Sequence, residues 1–174
     1  AVTKVAPGDA VAISFRSCGH CDRCDTQDPA YCRTMPMLNY TGAREDGSTS
    51  LSGPFGAVAS NFFGQSSFAS HALTYEENVV KVDDDLPLEL LGPLGCGIQT
   101  GAGGVMRSLA AKKGSSILIT GGGPVGLAAV MGAKIQECGT IILLEPQANR
   151  RELAKEFGAT HVIDPNETPS LVDA

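Results

Sequence analysis

The chain has 174 residues, with 13 lysines and arginines against 19 aspartates and glutamates, so its formal net charge is −6. This acidic balance argues against bulk neutralisation of nucleic-acid phosphates or of an anionic membrane surface, and the lack of tryptophan with only 5% aromatic residues argues against a base-stacking platform. Apolar residues make up 43% of the chain, which is enough to bury a core. We therefore expect a globular protein whose partners are small molecules, and neither nucleic acid nor membrane.

The first half of the chain predicts β-structure with irregular connections. Residues 11–15 have strand composition and are followed by a cysteine-rich loop. Residues 39–66 are rich in Gly, Ser and Thr and predict loops and short strands. Residues 68–82 predict a further strand, interrupted near residues 76–78.

Four of the six cysteines lie close together in the loop that follows the first strand. Cys18, Cys21, Cys24 and Cys32 have the spacing C-x2-C-x2-C-x7-C, and four thiolates can surround Zn²⁺ as a tetrahedron with sulfur at ~2.3 Å. An iron–sulfur cluster is a rival, although the common bacterial run ends in C-x3-C-P. Disulfides or free thiols are the other alternative, disfavoured by the short spacing and by the lack of a secretory signal. The spacing favours one structural zinc, and reduced thiols predict a cytoplasmic protein.

From residue 87 onward the pattern alternates helices and strands. The predicted elements are a helical segment over 88–111, a strand over 117–120, a helix over 124–138 ended by Gly139, a strand over 141–144, a helix over 149–157 ended by Gly158, and a strand over 161–163. This order predicts one parallel βαβαβ unit. The charge-free run over 114–133 is as long as a membrane span, but three glycines and a proline at its centre favour two buried elements joined by a turn.

The turn after the strand over 117–120 carries a glycine motif. Gly121, Gly123 and Gly126 match G-x-G-x-x-G between a buried strand and a helix, which is the context of a dinucleotide-binding loop. The helix N-terminus supplies N–H groups for phosphate. Because Pro124 donates no N–H, Val125 and its neighbours are expected to make those contacts.

Two charged residues after the next strand complete the predicted cofactor site. Glu145 lies 19 residues beyond Gly126 at a strand end, where a carboxylate accepts both ribose hydroxyls of NAD and repels the 2′-phosphate of NADP. Arg150 is predicted either to reach the adenosine ribose or phosphate, or to be a solvated charge on a helix. The residues thus predict NAD as cofactor.

A four-cysteine lobe in a β-rich half, followed by this glycine loop, resembles the zinc-dependent medium-chain alcohol dehydrogenases. The family's structural-zinc lobe has the same cysteine spacing. Residues 95–101, Gly-Cys-Gly-Ile-Gln-Thr-Gly, are similar to the segment in which the family carries a catalytic-zinc cysteine, and residues 94–100 look most like aryl or benzyl alcohol dehydrogenases. Composition alone would make Cys96 a small core residue. The resemblance makes Cys96 a catalytic-zinc ligand, places Thr100 beside the nicotinamide and gives Phe68 to the wall of the substrate pocket.

The resemblance also implies a mixed fold in two parts. Residues 1–92 would be a partial β-rich GroES-like catalytic domain with the structural-zinc lobe, and residues 93–174 the first half of a Rossmann α/β domain that binds NAD. The family's other catalytic-zinc cysteine, its Gly-His-Glu segment and its proton relay precede the lobe, and its nucleotide fold has six strands. We therefore expect an internal fragment of a longer enzyme, inactive when isolated.

The function that the resemblance implies is oxidation of a primary alcohol, aromatic alcohols included, to the aldehyde with NAD. The full-length enzyme would hold a structural and a catalytic Zn²⁺ and form a homodimer or homotetramer. Two alternatives stay open at this point. One is a non-catalytic, zinc-stabilised NAD-binding protein, and the other is an aldehyde-adduct dehydrogenase of the same fold.

Overall fold

A computed structural model describes residues 2–168 and residue 170 of the chain. The chain divides into two compact units, the first over Ala1–Leu88 and the second over Glu89–Ala174. No helix in the described part of the chain is long and apolar enough to cross a membrane. The charge-free run over 114–133 is instead divided between a strand, the glycine turn and a helix.

The first unit is built from short strands and helical turns. Its elements in chain order are β1 (Val11–Ile13), α1 (Asp22–Asp25), α2 (Met35–Tyr40), β2 (Leu51–Gly53), β3 (Gly56–Val58) and β4 (Val79–Lys81). Strand β1 pairs with β4 in antiparallel fashion, with Val11 opposite Lys81, and β2 and β3 form a hairpin. The predicted β-structure with irregular connections is therefore present, with the cysteine-rich loop inserted directly after β1.

The prediction of a strand over residues 68–82 is wrong for most of its length. Only Val79–Lys81 is a strand, preceded by a 3₁₀ turn over Glu76–Asn78. Residues 68–75 form no ladder with any described strand. Strand composition alone therefore does not produce a strand here, because a strand also needs an adjacent edge with which to pair.

The second unit is a three-stranded parallel sheet with connecting helices. Its elements in chain order are α3 (Gly97–Gly103), β5 (Ser116–Thr120), α4 (Pro124–Ile135), β6 (Thr140–Leu144), α5 (Ala148–Phe157) and β7 (His161–Ile163). The strand order is β5–β6–β7, with Ile117 opposite Ile141 and Ile142 opposite His161. The predicted βαβαβ unit is confirmed, and its buried core includes Val130, Ile141 and Leu143.

The ends of the helices in the second unit depend on which residue takes the left-handed conformation. Helix α5 ends as predicted, with Gly158 at φ 118°. Helix α4 ends earlier than predicted, at Ile135, because Glu137 takes the left-handed conformation with φ 55°. Gly139 has no positive φ and does not end that helix.

The helical segment predicted over residues 88–111 is shorter and divided. Residues Leu88–Leu90 and Gly92–Gly95 form two 3₁₀ turns, α3 begins only at Gly97, and a π-helical turn over Gly104–Ser108 follows it. Pro93 lacks an N–H and glycines flank it, so a continuous helix is unfavourable there. Cys96 consequently lies at the head of a separate helix.

Candidate functional site

The four cysteines predicted to bind metal are brought together in the first unit. Their Sγ atoms all lie within 4.8 Å of one another, with Cys18 and Cys24 3.9 Å apart and Cys21 and Cys24 3.6 Å apart. A tetrahedron of sulfurs at ~2.3 Å from Zn²⁺ has edges of about 3.8 Å, whereas a disulfide needs about 2.05 Å. All four cysteines are free. The donor set fits structural zinc, and the predicted four-cysteine cluster is confirmed.

Local backbone structure positions these thiols and favours the ionised form of Cys21. Cys21 lies at the N-cap of α1, and Cys32 follows the 3₁₀ turn over Pro29–Tyr31. The backbone N–H of Cys18 donates to Cys32 Sγ over 3.3 Å. Hydrogen bonds from the backbone N–H of Arg33, and then from that of Cys24, lower the pKa of the Cys21 thiol to about 6. A closed set of four thiolates leaves no open coordination position, so this site supports structure rather than substrate activation.

An ion pair braces the outside of the cysteine lobe, which we define as residues 18–32. Arg33 Nε and Nη2 donate to the two carboxylate oxygens of Asp22 over 2.9 and 2.7 Å. This pair lowers the pKa of Asp22 to about 2. The forked pair joins the start of α1 to the residue directly after the last cysteine ligand.

The glycine loop between β5 and α4 combines a left-handed glycine, a close backbone contact and an open backbone position. Gly121 has φ 90°, which favours glycine, and a Cβ at Gly126 would lie 1.8 Å from Gly121 O. A Cβ at Gly123 would meet no protein atom within 4 Å. Packing therefore requires Gly126 but not Gly123, where open space would let a ligand approach the backbone. Val125 and Gly126 lie in the first turn of α4, where N–H groups lack intrahelical acceptors.

Glu145 lies directly after β6 and faces this loop. The residue is only 3% exposed. Its Oε2 accepts the backbone N–H of Gly122 over 2.5 Å, and its Oε1 accepts that of Gln147 over 2.8 Å. The N–H groups of Gln147 and Gly122 hold the pKa of the carboxyl below its usual range, with Arg150 contributing less. The carboxylate at the end of β6 is therefore held ionised and in a fixed position beside Gly122.

Two residues that support Glu145, Gly122 and Arg151, escaped the sequence analysis. Gly122 counted only as a variable position of the motif, yet a Cβ there would lie 2.9 Å from Glu145 Cγ. Arg151 donates from Nη1 to Glu145 O and pairs with Asp164 Oδ2, each over 2.8 Å. Arg150 is more exposed, with Nη1 4.0 Å from Glu145 Oε2. Gly122, as a further glycine inside the motif, was the one sign in the sequence of a close contact at this position. Nothing in the sequence distinguishes Arg151 from Arg150.

Helix α3, which carries Cys96 at its N-cap and Thr100 in its first turn, packs against α4. A Cβ at Gly101 would lie 2.0 Å from Val125 O, so the two helices are in close contact at that glycine. Cys96 is exposed at the N-cap of α3, and its carbonyl accepts the N–H of Thr100 over 2.9 Å. The second unit therefore brings the segment from Cys96 to Thr100 beside the helix that begins at the glycine loop.

Two predicted site residues lack the surroundings that their roles require. Among the described residues, the one group of three or more possible metal ligands is that of the cysteine lobe, and it does not include Cys96. Phe68 is fully exposed in the first unit and forms no pocket wall there. Their roles as catalytic-zinc ligand and substrate contact stay predictions.

Comparisons with known proteins agree on one family. Residues 1–84 match the family described as alcohol dehydrogenase GroES-like domain, and residues 124–174 match the zinc-binding dehydrogenase family. A probable alcohol dehydrogenase of a Pseudomonas species is 53% identical over 94% of the chain and 52% of its own length. Geraniol dehydrogenase of Castellaniella defragrans is 52% identical over 99% of the chain and 47% of its own length.

A solved structure shares the fold as well. Benzyl alcohol dehydrogenase from Acinetobacter calcoaceticus superimposes with a TM-score of 0.88 at 45% identity, over 96% of this chain and 45% of that one. The chain spans about half the length of the curated relatives it matches. The four-cysteine cluster lies in the part that matches the GroES-like domain, and the start of a Rossmann part follows it, so both parts of the chain are similar to zinc-containing medium-chain alcohol dehydrogenases.

Proposed function

We propose that the full-length protein oxidises a primary alcohol, aromatic alcohols included, to the corresponding aldehyde with NAD. The observation that carries this proposal is the close packing of α3 on α4 at Gly101, which puts Cys96 and Thr100 beside the glycine-loop helix. A metal ligand and a cofactor loop held by adjacent helices suit a hydride transfer, for which the reacting atoms must lie about 3–3.5 Å apart.

The residues around the glycine loop would bind the adenosine half of NAD. The backbones of Gly121, Gly123 and Gly126 line the approach to the pyrophosphate, and the free N–H of Val125 donates to it. Glu145 accepts the ribose hydroxyls, for which its buried carboxylate keeps free lone pairs. Arg150 borders this position and is proposed to contact the ribose or a phosphate.

The remaining candidates would act at the reacting end. Cys96, which is exposed, would supply one thiolate for a catalytic metal. Thr100 would contact the nicotinamide. When bound, Zn²⁺ lowers the pKa of the alcohol hydroxyl and NAD takes up the hydride. The four thiolates of the cysteine lobe would hold a separate structural zinc, which has no open coordination position for a substrate.

The names of two similar proteins guide the choice of substrate. One is a benzyl alcohol dehydrogenase and the other a geraniol dehydrogenase. We carry over to this protein the preference for a primary alcohol with a bulky apolar substituent, and we assign Phe68 as a wall that such a substituent would contact. The full-length protein is proposed to be a cytoplasmic homodimer or homotetramer, which sedimentation velocity would test.

A substrate panel tests the proposal. Initial rates of NADH formation by the full-length protein are measured with benzyl alcohol, geraniol and ethanol at equal concentrations. We expect the two larger alcohols to give the higher kcat/KM. A higher kcat/KM with the adduct of formaldehyde and a thiol would favour the aldehyde-adduct dehydrogenase instead. Tight NAD binding without turnover of any substrate would favour the non-catalytic alternative.

A further inference from the structure

One side chain joins the backbone on the two sides of the cysteine lobe. Asn39 of α2 is fully buried, with 0% of its surface exposed. Its Oδ1 accepts the N–H of Arg16 over 2.9 Å, and its Nδ2 donates to Arg16 O over 2.8 Å. The same Nδ2 donates to Met35 O over 2.7 Å. Asn39 therefore links residue 16, just before the first cysteine ligand, to residue 35, just after the last.

Arg16, two residues before the first cysteine ligand, is itself fixed to other parts of the first unit. The Arg16 guanidinium donates from Nη2 to Glu45 Oε2 over 2.8 Å and lies 3.5 Å above the centre of the Tyr75 ring. Two residues later, the N–H of Cys18 donates to Cys32 Sγ. The position of the Arg16 backbone thus helps to place Cys18, the first ligand, next to Cys32, the last ligand.

We propose that Asn39 is a positioning residue that closes the cysteine lobe and slows the loss of its metal. Closing a loop before a metal binds removes conformational entropy from the metal-free state, so the four thiolates stay near their binding geometry. Hydrogen bonds that orient the ligands of a metal from outside the coordination sphere help to determine the affinity for that metal. Asn39 uses its one oxygen and both amide hydrogens for this closure, a role that no apolar side chain can replace. The role is independent of the proposed alcohol oxidation.

The direct test compares two matched substitutions in the zinc-loaded full-length protein. Asn39→Asp keeps the shape and the acceptor but removes both donors and sets a carboxylate against two carbonyl oxygens. Asn61→Asp is the control, because Asn61 is also buried, donates from Nδ2 to Ala43 O over 3.0 Å and contacts no residue of the lobe through that bond. The readout is the rate of zinc transfer to a chromogenic chelator without denaturant, with Cys96→Ser present in all three proteins so that the zinc counted is that of the lobe.

We expect zinc transfer from Asn39→Asp to be at least about tenfold faster than from the wild type, the scale set by one lost buried hydrogen bond. Transfer from Asn61→Asp should stay within about twofold of the wild type. A wild-type rate in Asn39→Asp overturns the proposal. Equal acceleration in both variants overturns it too, because zinc loss would then follow general destabilisation.

A measurement on the wild-type protein keeps the proposal testable if Asn39→Asp does not fold. Amide hydrogen exchange is compared before and after zinc removal at Arg16, whose N–H bonds to Asn39, and at Ser14, whose N–H bonds to Asn78 O over 2.9 Å. Because coupling between metal and closure is reciprocal, protection at Arg16 should fall at least about tenfold more than at Ser14. Equal changes at the two amides overturn the proposal.

Discussion

Glu145 is the residue on which cofactor choice is expected to depend. Its carboxylate is buried and already accepts two backbone N–H groups, so it cannot turn away from a nearby 2′-phosphate. In the full-length protein, Glu145→Ser should lower the ratio of kcat/KM for NAD to that for NADP by at least about tenfold, because like-charge repulsion and charge-assisted hydrogen bonds are both lost. The control is Glu152→Ser, which replaces an exposed glutamate of α5. A wild-type kcat/KM for NADP equal to or above that for NAD would contradict the role given to Glu145.

The ionisation of Glu145 gives a prediction about pH. Its pKa in the folded protein is held below the 4.5 of an unperturbed glutamate, first by the N–H of Gln147 and then by that of Gly122. A lowered carboxyl pKa stabilises the fold fully above 4.5, and this contribution is lost as the pH falls through the folded value. Stability and NAD affinity should therefore show no Glu145 titration between about pH 6 and 8. An NMR titration of the carboxyl carbon measures the pKa, and a midpoint above 4.5 would contradict the hydrogen-bonding account.

Sequence reasoning identified Glu145 but not the residues that hold it. Spacing along a βαβ unit predicts which strand end carries an acidic residue. The contacts of Gly122 and Arg151 depend on how α5 packs on the sheet, which has no signature in the sequence. Arg150 was singled out, whereas the more buried Arg151 makes the hydrogen bond to the Glu145 carbonyl.

At the scale of elements, the cysteine lobe should hold one zinc and no iron. Cys24→Ser removes one of four thiolates and should release the metal, with about one zinc per lobe in the wild type. Cys138→Ser is the matched control, since Cys138 lies in the second unit with Sγ 3.5 Å from Ser115 Oγ. Elemental analysis and limited proteolysis of the lobe are the measurements. Stoichiometric iron with labile sulfide would contradict the assignment.

The contact between α3 and α4 gives a second prediction at this scale. A Cβ at Gly101 would lie 2.0 Å from Val125 O and 2.8 Å from Ala128 Cβ, so Gly101→Ala should lower the free energy of unfolding by about 2–4 kcal/mol. Gly103→Ala is on the same helix, where a Cβ meets no atom within 4 Å. This control should stabilise by about 0.5–1 kcal/mol through helix propensity. Urea unfolding measures both, and an equal effect of the two substitutions would show that the helices are not in close contact.

The sequence predicted best those elements whose structure follows from the residues of the element itself. Strands β5 to β7 are short apolar runs, and Gly158 ends α5 in the conformation that glycine favours. The strand predicted over residues 68–75 was wrong, since pairing depends on a partner edge. The end of α4 was also misplaced, because Glu137 took the left-handed position expected near Gly139. Local preference alone did not decide the structure at either place.

For the whole molecule, the proposed catalytic zinc needs more ligands than the described residues bring to Cys96. Cys96 offers one thiolate, and the part of the chain that the structure describes adds no set of three ligands around it. One thiolate does not hold zinc in an open tetrahedral site. The 174-residue chain tested alone should therefore form no NADH from benzyl alcohol, whereas the full-length protein should. Zinc-dependent NADH formation by the chain alone, abolished by Cys96→Ser, would require a ligand set other than the one proposed.

We propose that Cys96 acts where the hydride is transferred, whereas the cysteine lobe only supports the fold. The most direct test is the initial rate of NADH formation from benzyl alcohol by the zinc-loaded full-length protein and its Cys96→Ser variant, with Cys138→Ser as the control. We predict that Cys96→Ser lowers kcat by at least about a thousandfold, since the metal that polarises the alcohol loses a ligand. Cys138→Ser should keep a rate near that of the wild type. A Cys96→Ser variant that turns over benzyl alcohol at the wild-type rate would contradict the account.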